Sequence, residues 1–103
     1  MSVIKITNSS FENEIISSDK PVLIDFFAVW CGPCRMVSPI VDGIAEENND
    51  IKVCKIDVDS EPELAQRFGV TSIPTLVVMK SGSVVSKAIG YRSKDEILAM
   101  LNG

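Results

Sequence analysis

The stretch Val22-Leu23-Ile24-Asp25-Phe26-Phe27 constrains the fold more than any other part of the chain. It is almost continuously apolar, so both of its faces must be covered, as in a strand inside a layered α/β sheet. Helical period takes over soon afterwards: Met36, Val37, Ile40, Val41, Ile44 and Ala45 recur on one face. Pro39 falls inside that pattern and predicts a kink within the helix, not its end. Asn48-Asn49-Asp50 predicts the end.

The remaining elements follow from local signals. Val3 to Ile6 reads as a short first strand. Ser9 and Glu12 have capping-box spacing, with Phe11, Ile15 and Ile16 on one side of the helix they start. Residues 51–57 alternate as a strand. Ser60-Glu61-Pro62-Glu63 predicts a second capping box, leading into Leu64, Ala65 and Phe68, and Gly69 ends that helix. Residues 75–79 and 84–89 read as strands joined by Lys80-Ser81-Gly82-Ser83, an antiparallel hairpin. Ser93 to Glu96 caps a last helix carrying Ile97, Leu98 and Leu101. The order is βαβαβ followed by a helix, a hairpin and a closing helix. It implies an α/β fold: a mixed five-stranded sheet with four helices spread over both faces. A length of 103 residues fits one domain, residues 1–103.

Composition narrows the function classes. Ten basic against fourteen acidic residues leave a net charge of −4, and no Lys/Arg cluster suggests a nucleic-acid footprint. No apolar run approaches the roughly 20 residues that span a bilayer. Met1-Ser2-Val3-Ile4-Lys5 lacks the basic-then-apolar pattern of an export signal, so a cytoplasmic protein is expected. Three cysteines are too few, and odd in number, for a disulfide-stapled secreted framework.

Cys31-Gly32-Pro33-Cys34 lies between the apolar strand and the long helix. Unpaired N–H groups at a helix entrance carry partial positive charge and favour a thiolate. A thiolate is the species that attacks disulfides. The pair has three readings: a structural staple, half a metal site, or a redox site. A loop this short gives a staple only about 2 kcal/mol. A closed zinc site wants four Cys or His ligands, and this chain has three Cys and no His. Dithiol–disulfide exchange is therefore favoured. Cys31, at the cap, is expected to be the more exposed thiol and the first nucleophile. Cys34, one turn deeper, is expected to be shielded and to resolve the mixed disulfide. Arg35 lies beside the pair.

Val29-Trp30-Cys31-Gly32-Pro33-Cys34-Arg35 resembles the active-site segment of the thioredoxin family, and the order of elements resembles the thioredoxin fold across essentially the whole chain. The resemblance implies a protein-disulfide reductase that works as a monomer through a reversible Cys31–Cys34 disulfide, with no bound cofactor and no metal. A separate thioredoxin reductase, NADPH-dependent, would supply electrons, since Gly-x-Gly-x-x-Gly is absent here. Implied clients include ribonucleotide reductase, peroxiredoxin and methionine sulfoxide reductase. Lowering a thiol from about 8.5 to about 7, the general figure for that family, raises the thiolate fraction at pH 7 about 16-fold. Weaker nucleophilicity takes back about 5-fold, so most of the rate must come from positioning the substrate disulfide.

The resemblance also assigns further residues. Asp25, by its own context either a solvated strand-edge carboxylate or a costly buried one, would take the proton of Cys34. Lys55 would be its buried partner, unless it faces solvent. Pro74 would be cis and face the cysteines. The backbone at Ser72 and Ile73 would pair with an extended substrate segment, flanked by Trp30 and Gly90. Gly32 and Pro33 would tune the redox balance. Phe27 and Tyr91 depart from the family pattern, which often has a second Trp and a smaller residue there. Cys54 reads as a small buried core residue. A disulfide-forming oxidant or isomerase of the same fold, and a non-enzymatic docking module, are the alternatives.

Overall fold

A computed structural model describes residues 3–103. The expectation about an export signal falls partly on Met1 and Ser2, outside those residues. Five strands form one mixed sheet in the order β1-β3-β2-β4-β5: β1 (Ile4–Lys5), β2 (Val22–Phe27), β3 (Lys52–Asp57), β4 (Thr75–Lys80) and β5 (Ser83–Ile89). β3 runs parallel to both β1 and β2, whereas β4 is antiparallel to β2 and β5 to β4. The helices are α1 (Gly32–Glu47), α2 (Pro62–Arg67) and α3 (Lys94–Asn102), with a π-helical turn at Glu12–Ile16.

The two-residue period of β2 decides what lies where. Val22, Ile24 and Phe26 point into the core shared with Phe11, Ile15 and Leu64, beneath the π-helical turn and α2. Leu23 points into the other core, with Val37, Val41 and Ile44 of α1 and Ile97 and Leu101 of α3. Full burial of such side chains contributes about 1.5–3 kcal/mol each. Alternation puts Asp25 on the same face as Leu23, under α1. That single parity relation places a carboxyl group below the helix that carries the cysteines.

Both predicted capping boxes in the first two-thirds of the chain are absent. The first turn is entered at Thr7, not Ser9: Thr7 O accepts from Phe11 N–H at 3.1 Å, and Ser10 Oγ accepts from Thr7 N–H at 3.0 Å. Ser10 thus does for Thr7 what Glu12 was expected to do for Ser9. At α2, Pro62 occupies the first helical position, which moves the cap to Glu61. The Glu61 carboxylate accepts instead from Asn8 N–H, 2.9 Å away. α2 ends as expected at Gly69, whose φ of +66° allows Gly69 N–H to reach Gln66 O and Val70 N–H to reach Ala65 O. α1 continues through Pro39. The hairpin turns on Ser81 and Gly82, both at positive φ, the pairing that suits the twist of a two-residue loop.

The capping box at α3 is complete: Ser93 Oγ accepts from Glu96 N–H at 3.2 Å, and Glu96 Oε1 accepts from Ser93 N–H at 2.9 Å. These bonds hold the Glu96 carboxyl below its usual range. Ser93→Ala is expected to cost about 1 kcal/mol, seen as a lower urea midpoint at unchanged slope. Among the described residues no helix is long and apolar enough to cross a membrane.

Candidate active site

β2 delivers the chain to a turn in which Cys31 N–H donates to Ala28 O. Cys31 is the N-cap of α1, and its Sγ accepts from Cys34 N–H at 3.2 Å. Pro33 sits in the first helical turn, where its missing N–H has no cost. The Cys31 and Cys34 sulfurs are joined, with Cα atoms 5.3 Å apart. Both residues are nearly inaccessible, Cys31 at 4% and Cys34 at 3% exposure. Cys31 is thus only marginally more exposed than Cys34 in the joined pair. The cause is the packing of Ile73 and Val58 against the pair, with Ile73 O 3.9 Å from Cys31 Sγ.

On the Cys34 side lies a cavity of about 210 Å³, lined by Asp25, Cys34, Arg35, Ser38 and Lys55 among others. Asp25 is 1% exposed, and neither of its oxygens has a hydrogen-bond partner among the described residues. Burial pushes its carboxyl up to about 6, against the opposing pull of the Lys55 charge and with a smaller push from Asp42. Lys55 stands across from Asp25 in the strand register. Its Nζ, however, pairs with Asp42 Oδ1 at 3.2 Å and donates to Ser38 Oγ.

On the Cys31 side a shallower cavity of about 160 Å³ is lined by Trp30, Val58, Val70, Thr71, Ser72 and Ile73. Trp30 is 66% exposed, and its indole N–H donates to Asp59 Oδ2 at 2.8 Å. The Ile73–Pro74 peptide is cis. Ser72 O accepts from Thr75 Oγ1 at 2.6 Å, and Pro74 O from Gly90 N–H at 2.8 Å. Gly90 has φ +93°, a conformation that side chains resist. Of the residues expected to meet a substrate, Trp30, Ser72 and Ile73 line this cavity, Ile73 O lies 3.9 Å from Cys31 Sγ, and Gly90 reaches the group only through its bond to Pro74 O.

A family model described as thioredoxin matches residues 2–103. The thioredoxin of Porphyra purpurea is 52% identical over 103 residues, covering 99% of this chain and 96% of the relative. The chain belongs to the thioredoxin family. The thioredoxin of Listeria monocytogenes is 50% identical over 99 residues, 95% of this chain and 94% of the relative. A Mycobacterium leprae protein named bifunctional thioredoxin reductase/thioredoxin is 45% identical over 100 residues, 96% of this chain and 22% of that longer protein.

A thioredoxin is a protein-disulfide reductase that works by dithiol–disulfide exchange through its own cysteine pair, between a reductase and oxidised client proteins. This chain carries that pair at a helix entrance, where the chemistry needs it. Among the described residues no cluster of three or more His, Cys, Asp or Glu gathers to hold a metal ion. The third cysteine, Cys54, is a fully buried core residue, and burial pushes its thiol up to about 12.

Three residues near the thioredoxin site escape a sequence reading. Ser38 and Asp42 follow Cys34 at four-residue intervals, a stripe visible in the sequence once the helix is assigned. Asp59 anchors Trp30 across 29 positions, and nothing local signals that contact.

Proposed function

We propose that Cys31 is the nucleophile and Cys34 the resolving thiol of a general disulfide reductase. The Cys31 thiolate attacks one sulfur of a client disulfide, and the other client sulfur leaves as a thiolate that takes up a proton. Asp25 receives the Cys34 proton, through water in the cavity they share. The Cys34 sulfur then attacks Cys31 Sγ, breaking the mixed bond and releasing the second client thiol. The client gains two electrons, and the pair is left as a disulfide for the reductase to reduce.

The observation that carries this reading is the shared cavity: a buried carboxyl without hydrogen bonds and the deeper cysteine line the same space. A carboxyl raised to about 6 is still mostly ionised at pH 7, and its proton affinity is close to the working pH, as a general base requires. Lys55 tunes that affinity through space. Trp30, Ser72, Ile73, cis Pro74 and Gly90 form the substrate mouth, where an extended client segment adds to the exposed backbone. Gly32 and Pro33 set the turn and tune the pair toward the more negative potential of a reductant.

The partner that fits is a thioredoxin reductase using NADPH, and the Mycobacterium leprae relative, whose name joins both activities, supports such pairing. Ribonucleotide reductase, peroxiredoxin and methionine sulfoxide reductase are the client classes. We place the protein in the cytoplasm as a monomeric single domain. Equilibration with glutathione tests the direction of electron flow. A potential more negative than the glutaredoxin range of about −200 to −230 mV is expected, whereas one near −120 mV would mark an oxidant.

A further inference from the structure

Lys55 is the cation best placed to neutralise Asp25, yet its ammonium is committed elsewhere. The two residues are register partners on β3 and β2. Lys55 Nζ nevertheless lies 3.2 Å from Asp42 Oδ1 and donates to Ser38 Oγ, while both Asp25 oxygens lack a partner among the described residues. An unpaired buried charge is the costlier arrangement, so the lysine must be restrained from the carboxyl group that would gain most from it. Cys34, Ser38 and Asp42 repeat every four residues along α1 and form one stripe. Its middle and far members hold the lysine.

We propose that Ser38 and Asp42 are positioning residues that keep the Lys55 ammonium on the helix side of the cavity, out of direct contact with Asp25. The inference rests on the reading of Asp25 as the acceptor of the Cys34 proton. In a direct ion pair Asp25 would be a weak base near neutral pH. Held apart, Lys55 acts on it only through space, and burial dominates. The titratable or charged groups facing Asp25 are Lys55 from β3 and Cys34, Arg35 and Asp42 from α1. Its partner on β4, Leu76, carries no charge.

The test is the titration midpoint of the Asp25 carboxyl, followed by carbon-13 NMR in the oxidised protein. Asp42 is half exposed, with a side chain 54% accessible, so its replacement leaves the core intact. In the double variant Ser38→Ala/Asp42→Asn, Lys55 is free to reach Asp25. The midpoint is expected to fall by about 1 pH unit or more, as for a carboxyl that gains a cation at contact distance. Asp42→Glu keeps the wild-type midpoint. Removing the Asp42 charge also acts on Asp25 directly, and a cycle with Lys55→Gln separates the two effects. In the Lys55→Gln background the same double replacement is expected to move the midpoint less than about half as far. An unchanged midpoint, or an equal displacement with and without Lys55, overturns the proposal. The NMR midpoint is independent of what Asp25 does during exchange. The rate of client release by Asp25→Asn tests that role separately, and a normal rate would remove the base while leaving the restraint on Lys55 intact.

Discussion

Cys31→Ser is expected to lower insulin disulfide reduction to the rate of dithiothreitol alone, while Cys34→Ser leaves the client covalently attached. The two cysteines are three positions apart in one motif, yet their replacements give opposite products. A hydroxyl at position 31 has no thiolate form near neutral pH and cannot open an S–S bond, so the cycle never starts. A hydroxyl at position 34 leaves the first attack intact and removes the second. The client then stays joined to Cys31 until an external thiol frees it. Cys54 does not substitute for either cysteine. It is fully buried, and a thiol pushed up to about 12 has almost no thiolate at pH 7. Unchanged client function in Cys31→Ser, with no mixed disulfide, would favour the non-enzymatic docking module.

Asp25→Asn is expected to change the pH dependence of stability strongly between about pH 3 and pH 7. The Asp25 carboxyl stands at about 6 in the folded protein against an ordinary 3.8. The folded state therefore holds its proton more tightly than the unfolded state. Below about pH 3 both states are protonated and the group has no effect on the balance. Between about pH 3 and 6 the unfolded chain ionises first, and stability falls. Above pH 6 the full cost remains, about 3 kcal/mol. An amide has no such titration. Urea unfolding of the oxidised proteins should show the variant gaining about 3 kcal/mol on the wild type from pH 3 to pH 7, whatever fixed cost the amide carries. Parallel curves over that range would mean that Asp25 is solvated or directly paired.

How much of this was legible in the sequence depends on the range of the interactions involved. β2 and α1 were readable because periodicity and burial act along the chain, and their residues carry the pattern densely. The Ser93–Glu96 box was readable because all its atoms lie within four residues. The Ser9 and Ser60 boxes failed for reasons just beyond the motif. Ser10 closes the turn from Thr7, and Pro62 fixes where α2 begins. The burial of Cys31 was not legible, because Ile73 packs on it from 42 positions away. The strand neighbourhood of Asp25 and Lys55 was legible, but the destination of the lysine was not. That depends on Asp42 and Ser38, which read as ordinary helix residues until the fold brings β3 beneath them.

Peptide mapping of the adduct between Cys34→Ser protein and an oxidised client is the most direct measurement of the exchange mechanism. A single bridge from the client sulfur to Cys31, released by dithiothreitol, is the predicted result. A bridge to Cys54, or no bridge under conditions where the wild type reduces the same client, would contradict it.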